Sequence, residues 1–159
     1  MMKKTKTQFM AEAAMIAAFY VVITLMLAPF SFGEVQLRLS EALTILPVFT
    51  PAAIPGLFIG CLIGNLLGGG IILDIAVGSL ATLLGAVGTY ALRRRPMISP
   101  IAPIIANTLL VPFVLKYGYQ IPLSIPFMML TVGIGELISC GIFGIILIKV
   151  LNRTEIFHK

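Results

Sequence analysis

Between Glu41 and Asp74 the chain carries no charged residue, and Pro47, Pro51 and Pro55 divide that stretch. As a single helix the run would overshoot a bilayer, whose hydrocarbon needs only ~20 apolar residues. Proline removes an amide donor and clashes with the preceding turn, so each one interrupts a helix. The stretch therefore reads as a short second helix near 40–49 and a third near 51–67, closed by the turn Gly68-Gly69-Gly70.

The rest of the chain has the same character. Of 159 residues, 59% are hydrophobic and 11% charged, against roughly 25% charged in a soluble domain. Such a chain cannot cover itself with polar surface in water, and lipid is the solvent that suits it. The expected fold is all-α, a single membrane domain over 1–159. Its six transmembrane helices are expected near 9–28, 40–49, 51–67, 73–92, 100–115 and 124–151. The basic start, Met1 to Lys6, followed by an apolar run, resembles a signal peptide. The run is too long for one and ends in no small-residue cleavage site, so it is expected to stay as the first helix.

Charge placement orients the bundle. With six helices and the N-terminus in the cytoplasm, Lys3, Lys4, Lys6, Arg93, Arg94, Arg95, Lys149, Arg153 and Lys159 all fall inside. Only Arg38 and Lys116 fall outside. That is the asymmetry of the positive-inside rule, and it puts both termini in the cytoplasm. Five helices would place the triple arginine on the side of Arg38.

Several function classes lack their chemistry. The net charge is +5, but no basic stripe interleaved with aromatics marks a nucleic-acid face. Cys61 and Cys140 lie in apolar runs and read as small buried hydrophobes rather than a disulfide. His158 is the only histidine, so neither zinc spacing nor a serine–histidine–acid set exists. No phosphate-cradling glycine loop ending in Gly-Lys-Ser/Thr is present. The chain is expected to be no enzyme and to hold no metal or cofactor.

Charge inside a bilayer costs roughly 2.5–3.5 kcal/mol at mid-helix, so polar residues in these runs are the informative ones. Glu136 sits halfway along the sixth helix in Gly133-Ile-Gly-Glu-Leu137. It reads as a carboxylate facing a ligand chamber, or as a structural helix–helix hydrogen bond. Asn107 on the fifth helix can read both donors and acceptors on a heterocycle edge, or glue helices together. Asn65, beside Gly64 and Gly68, has the same two readings. Arg38 and Glu41 open the second helix, either as a salt bridge and cap or as part of a polar loop, Gly33 to Glu41, folding over an outer cavity. Asp74 begins the fourth helix, where the dipole alone favours an acid. Tyr117, Tyr119 and Gln120 occupy the last outer loop, as interfacial anchors or as a stacking lid. On the first helix Ala13, Ala14, Ala17 and Ala18 form overlapping A-x-x-x-A spacings, a flat stripe for a partner helix or for packing within the chain.

Longer segments carry a resemblance. Ala28-Pro-Phe-Ser-Phe-Gly-Glu-Val-Gln-Leu-Arg-Leu-Ser-Glu-Ala-Leu-Thr-Ile-Leu-Pro47, Thr50 to Gly69, Asp74 to Leu83 and Gly133-Ile-Gly-Glu-Leu137 resemble the QueT family. These are queuosine-precursor transporters, substrate-binding S components of energy-coupling factor (ECF) transporters. The resemblance implies a six-helix S-component fold in a bacterial cell membrane, with a binding site in the outer half closed by loops. It implies a 7-deazaguanine cargo, such as queuine or its 7-aminomethyl or 7-cyano precursor. It also implies docking through the alanine stripe on a transmembrane coupling protein served by two cytoplasmic ATPases. Glu136, Asn107, Arg38, Glu41, Asp74, Asn65 and Tyr117 are then the candidate substrate-binding residues. A stand-alone proton-coupled carrier using Glu136 is the alternative.

Overall fold

The computed structural model describes residues 5–27 and 38–154. Among these the fold is all-α, with six helices and no strand. Helix α1 spans Lys6–Met26. It starts three residues earlier than expected because Thr5 caps it. The Gln8 amide donates to Thr5 Oγ1 at 3.3 Å and the Thr5 amide to Gln8 Oε1 at 3.0 Å, a reciprocal capping box. The expected end of this helix and the polar segment 33–37 lie outside the described residues.

Helix α2, Leu39–Val48, is wound as a 3₁₀ helix and contains Pro47. Its 10 residues rise ~2.0 Å each instead of ~1.5 Å, so they reach ~20 Å rather than ~15 Å. Helix α3 is Ala53–Leu67. It ends where the Gly70 amide donates to the Asn65 carbonyl at 2.8 Å and Gly69 takes φ +80°, a left-handed C-terminal turn that glycine adopts without a Cβ penalty. Helix α4 is Ile72–Ala91. Helix α5, Ile101–Gly118, and helix α6, Ile125–Arg153, are continuous apolar helices. The last turn of α5, Val114–Gly118, and the centre of α6, Leu137–Phe143, are π-wound.

Four helices, α1, α4, α5 and α6, are long and apolar enough to cross a membrane, whereas α2 and α3 are shorter apolar helices. The six expected segments are all present, but two fall short of a full crossing by length. Large apolar side chains cover the outside, among them Phe19, Ile72, Leu84, Leu109, Leu130 and Ile146. In water such a surface would be costly; in lipid it is the solvated one.

The packing follows chain order. Helix α1 lies on α3, α3 on α4, α4 on α5 and α5 on α6, while α2 packs against α1, α3, α4 and α6. The short helix thus completes the bundle, and Ser40, Glu41, Thr44, Ile45, Leu46 and Pro47 are buried there. The α1–α3 contact is set by Gly56, Gly60 and Gly64. A Cβ on Gly56 would stand 2.7 Å from the Ala13 carbonyl oxygen, and one on Gly60 would stand 2.8 Å from Tyr20 Cβ and 3.1 Å from Ala17 Cα. Glycines four apart let two backbones approach this closely. The same device joins α4 to α5, where Gly85 faces Pro103 and Gly88 faces Ala102.

The alanine stripe of α1 is therefore divided. Ala17 is buried and Ala13 half-buried against α3, whereas Ala14 and Ala18 are exposed. An apolar cluster of Ile16, Tyr20, Ile45, Leu46, Ala53, Leu57, Cys61, Ala86 and Ile148 fills the centre. A second, of Val111, Leu115, Met128 and Val132, joins α5 to α6.

Candidate functional site

One end of the bundle gathers the last turn of α3, the first turns of α2 and α4, and the turn after α5. Arg38 Nη2 donates to both carboxylate oxygens of Asp74, at 3.3 and 3.1 Å. Tyr119, just past α5, donates its hydroxyl to Asp74 Oδ2 at 3.0 Å. Asn65 Nδ2 donates to the Asp74 carbonyl at 3.2 Å. The floor beneath these groups is Gly78, where a Cβ would come within 3.0 Å of Asp74 Oδ1 and 3.1 Å of Asn65 Nδ2. Arg38, Asp74 and Asn65 are all buried.

Deeper in, the Glu41 carboxylate is the meeting point of four helices. Its Oε1 accepts from the Tyr20 hydroxyl on α1 and from Thr82 Oγ1 on α4 at 2.9 Å. Its Oε2 accepts from Asn107 Nδ2 on α5 at 3.3 Å. A buried carboxylate needs such donors, because an unpaired charge in this environment is very costly. Thr82 Oγ1 also lies 3.3 Å from Cys61 Sγ, and Asn65 Nδ2 lies 3.6 Å from the same sulfur. One polar chain thus runs from Tyr119 through Asp74, Asn65, Cys61 and Thr82 to Glu41.

Glu136 belongs to the same interior. It is 6% exposed and stands at the last α-turn before the π-wound centre of α6. A π-turn inserts an extra residue and re-aims the side chains around it, which is why such turns recur at functional sites. Here Cys140 Sγ donates to Glu136 Oε2 at 3.1 Å and lies 3.3 Å from the Glu41 carbonyl oxygen. Ligand atoms of Glu41, Glu136 and Cys140 all lie within 4.8 Å of one another. All six helices supply a group to this network.

Among the described residues the interior holds three carboxyl groups, Glu41, Asp74 and Glu136, and one guanidinium, Arg38, which is bound to Asp74. Such an acid-rich, buried cluster strengthens every electrostatic contact made inside it and suits partners that bring N–H donors or a positive charge.

Six of the seven residues singled out in the sequence, Glu136, Asn107, Arg38, Glu41, Asp74 and Asn65, converge in this network. Tyr117 does not join it: the side chain is 68% exposed and stacks on Phe113, with ring centroids 6.5 Å apart. Its neighbour Tyr119 turns inward instead. Tyr20, Thr82 and Thr44, whose hydroxyl lies 3.5 Å from Cys140 Sγ, complete the network without having stood out, and Cys61 and Cys140, expected as inert buried hydrophobes, join it through their sulfurs. Spacing could have found some of them. Asp74, Gly78 and Thr82 lie four apart on one face of α4, as do Cys61 with Asn65 and Glu136 with Cys140.

The family model for the QueT transporter matches residues 10–153. The chain belongs to the QueT transporter family. It is therefore a transporter-family, multi-pass protein of the cell membrane. A curated relative, the queuosine precursor transporter QueT of Lactococcus lactis subsp. cremoris (strain MG1363), is 39% identical over 85 residues. The aligned stretch is 52% of this chain and 50% of the relative, so the match spans about half of that protein's length. No solved structure matches the chain.

Proposed function

We propose that this chain is the substrate-binding S component of an ATP-driven ECF uptake transporter. On this reading it binds a queuosine precursor, a 7-deazaguanine such as queuine or its 7-aminomethyl or 7-cyano precursor, and delivers it to the cytoplasm. The six helices are then all membrane-embedded, with both termini cytoplasmic. The site end of the bundle, with Arg38 and Asp74, faces outward, and the end with Arg93, Arg94 and Arg95 faces inward.

The observation that carries the reading is the Glu41 carboxylate, held by Tyr20, Thr82 and Asn107 within the same cluster as Glu136. A deazaguanine presents adjacent N–H donors on its pyrimidine edge, and a carboxylate is their natural acceptor. Its carbonyl needs a donor, and the Asn107 amide or the Arg38 guanidinium supplies one. The purine-like ring enters by replacing hydrogen bonds the side chains now make to one another. Membership of the QueT family and the likeness to a queuosine precursor transporter support the choice of cargo.

Energy coupling on this reading comes from other chains, a transmembrane coupling protein and two cytoplasmic ATPases. Ala14 and Ala18, the outward half of the α1 stripe, suit the coupling protein, because Ala13 and Ala17 are engaged by Gly56 and Gly60 of α3. The test is a titration of the purified chain against queuine, its 7-aminomethyl and 7-cyano precursors, and guanine. Saturable binding of a deazaguanine is expected, and no binding of any of them rejects the reading.

The close approach of the Glu41 and Glu136 carboxyls also fits a second reading, a stand-alone proton-coupled carrier. Uptake that survives loss of the ATPases but collapses with a protonophore would favour that carrier.

A further inference from the structure

Glu41 and Glu136 bring two acids together without a cation between them. The centre of α6 packs against α2 and α5. Glu41 is the only titratable side chain in Leu39–Val48, and Ile101–Phe113 has none. On its own helix Glu136 meets Cys140. Arg38 is bound to Asp74 at 3.1 Å, and among the described residues no cation bonds to either glutamate. Carboxyl oxygens of the two buried acids lie within 4.8 Å, which strongly disfavours ionising both. Their donors differ. Glu41 receives two hydroxyls and an amide, from Tyr20, Thr82 and Asn107. Glu136 has Cys140 Sγ at 3.1 Å, and thiols are weak donors. Asn107 also neighbours Glu136 but gives its 3.3 Å bond to Glu41. The same sulfur stands 3.3 Å from the Glu41 carbonyl oxygen, and one S–H cannot serve both acceptors. The charge of the pair therefore sits on Glu41, and the proton on Glu136.

We propose that Glu136 is a proton-binding site, loaded in the ligand-free chain and emptied when cargo binds. This rests on the transport reading above and adds the ion that the cargo displaces. In the loaded state the Glu136 O–H donates to Cys140 Sγ, and the thiol donates to the Glu41 carbonyl. Paired N–H donors of the cargo then do for Glu136 what Tyr20, Thr82 and Asn107 do for Glu41, and make the carboxylate its stable form. The O–H bond breaks, its electron pair stays on the Glu136 oxygen, and the proton passes to the solvent. The thiol turns to that oxygen, already within reach at 3.1 Å. Cargo and proton are thus competitors. The bound state holds fewer protons than the free state, so affinity rises with pH. A symporter has the opposite sign, because there cargo and proton bind together.

The experiment titrates 7-cyano-7-deazaguanine, which brings no titrating amine, into the full chain in detergent. Calorimetry is run at one pH in buffers of different ionisation enthalpy, then across pH in one buffer. The heat should vary with the buffer as release of about one proton requires, and affinity should rise by up to about tenfold per pH unit. Infrared difference spectra on adding the compound should lose a protonated-carboxyl C=O band. Glu136→Gln should abolish that band and the buffer dependence while binding persists more weakly. If that variant fails to fold, the wild-type heats and the infrared band decide, since neither a thiol nor a phenol gives such a band. Equal heat in every buffer, uptake of protons on binding, or release unchanged in Glu136→Gln would overturn the proposal and leave the transport reading standing. No binding of any 7-deazaguanine at any pH removes the transport reading and the proton exchange with it.

Discussion

The Tyr20 hydroxyl on α1 donates to the Glu41 carboxylate on α2, with both side chains 1% exposed. The bond ties a helix long enough to cross a membrane to a short one whose buried face is half polar, with Ser40, Glu41 and Thr44 beside Ile45, Leu46 and Pro47. Tyr20→Phe keeps the ring and removes the donor. Thr82 and Asn107 still serve the carboxylate, so the cost should be about 1.5–3 kcal/mol, the range for a bond to a charged group. A lowered melting temperature in detergent, with the helical circular-dichroism signal intact, checks it.

Asp74 bonds to Arg38, and a buried pair broken on one side is far more damaging than one replaced whole. Asp74→Asn should destabilise the chain by about 3 kcal/mol or more. The double change Arg38→Met with Asp74→Leu should recover much of that stability yet still fail to bind ligand. Thermal melts and titrations of the three forms separate structural from recognition roles.

The two halves of the α1 stripe should behave differently. Ala17→Leu forces a large side chain toward Gly60, whose Cβ position is already 3.1 Å from Ala17 Cα. Overpacking of this kind costs typically 1–3 kcal/mol and should show as lower folded yield and melting temperature. Ala18→Leu points outward, so folding and ligand affinity should hold while uptake in cells falls. Normal uptake by Ala18→Leu would remove that face from partner docking.

Gly78→Ala tests the floor of the Arg38 end. The added methyl meets Asp74 Oδ1 at 3.0 Å and Asn65 Nδ2 at 3.1 Å, closer than ordinary contacts, so those groups must shift by a few tenths of an ångström. A shift of that size is small for the fold but large for hydrogen-bond geometry. Ligand affinity should drop about tenfold with a change in melting temperature of only a few degrees, as titration and thermal scans will show.

The sequence exposed the charged and amide members of this network because each is conspicuous in an apolar run. Glu136, Asn107 and Asn65 stood out in hydrocarbon, although helix–helix hydrogen bonding explained each of them as well. Tyr20 and Thr82 do not stand out, and Cys61 and Cys140 read only as small hydrophobes, because tyrosine, threonine and cysteine are tolerated in membrane helices; only helix rotation reveals that they face polar groups. Rotation also divided the alanine stripe. Ala13 with Ala17 and Ala14 with Ala18 are equivalent as spacings, and the glycines at 56, 60 and 64 on α3 choose between them. Tyr117 and Tyr119 look alike as loop tyrosines, but Tyr117 lies in the π-wound last turn of α5 and is exposed, whereas Tyr119, just past that turn, reaches Asp74. The π-wound centre of α6 left no mark in composition. Segment count followed directly from prolines, glycines and charge, but the 3₁₀ winding of α2 depends on the helices packed around it.

The central claim is that buried carboxylates recognise the cargo, and it is tested most directly by isothermal titration of 7-deazaguanines into Glu136→Gln and Glu41→Gln beside the wild type. Glutamine keeps the shape and removes the charge. The account predicts that both variants still melt cooperatively and that each loses about tenfold or more in affinity, a bond to a charged group being worth about 1.5–3 kcal/mol. Folded variants that bind as tightly as the wild type would contradict it.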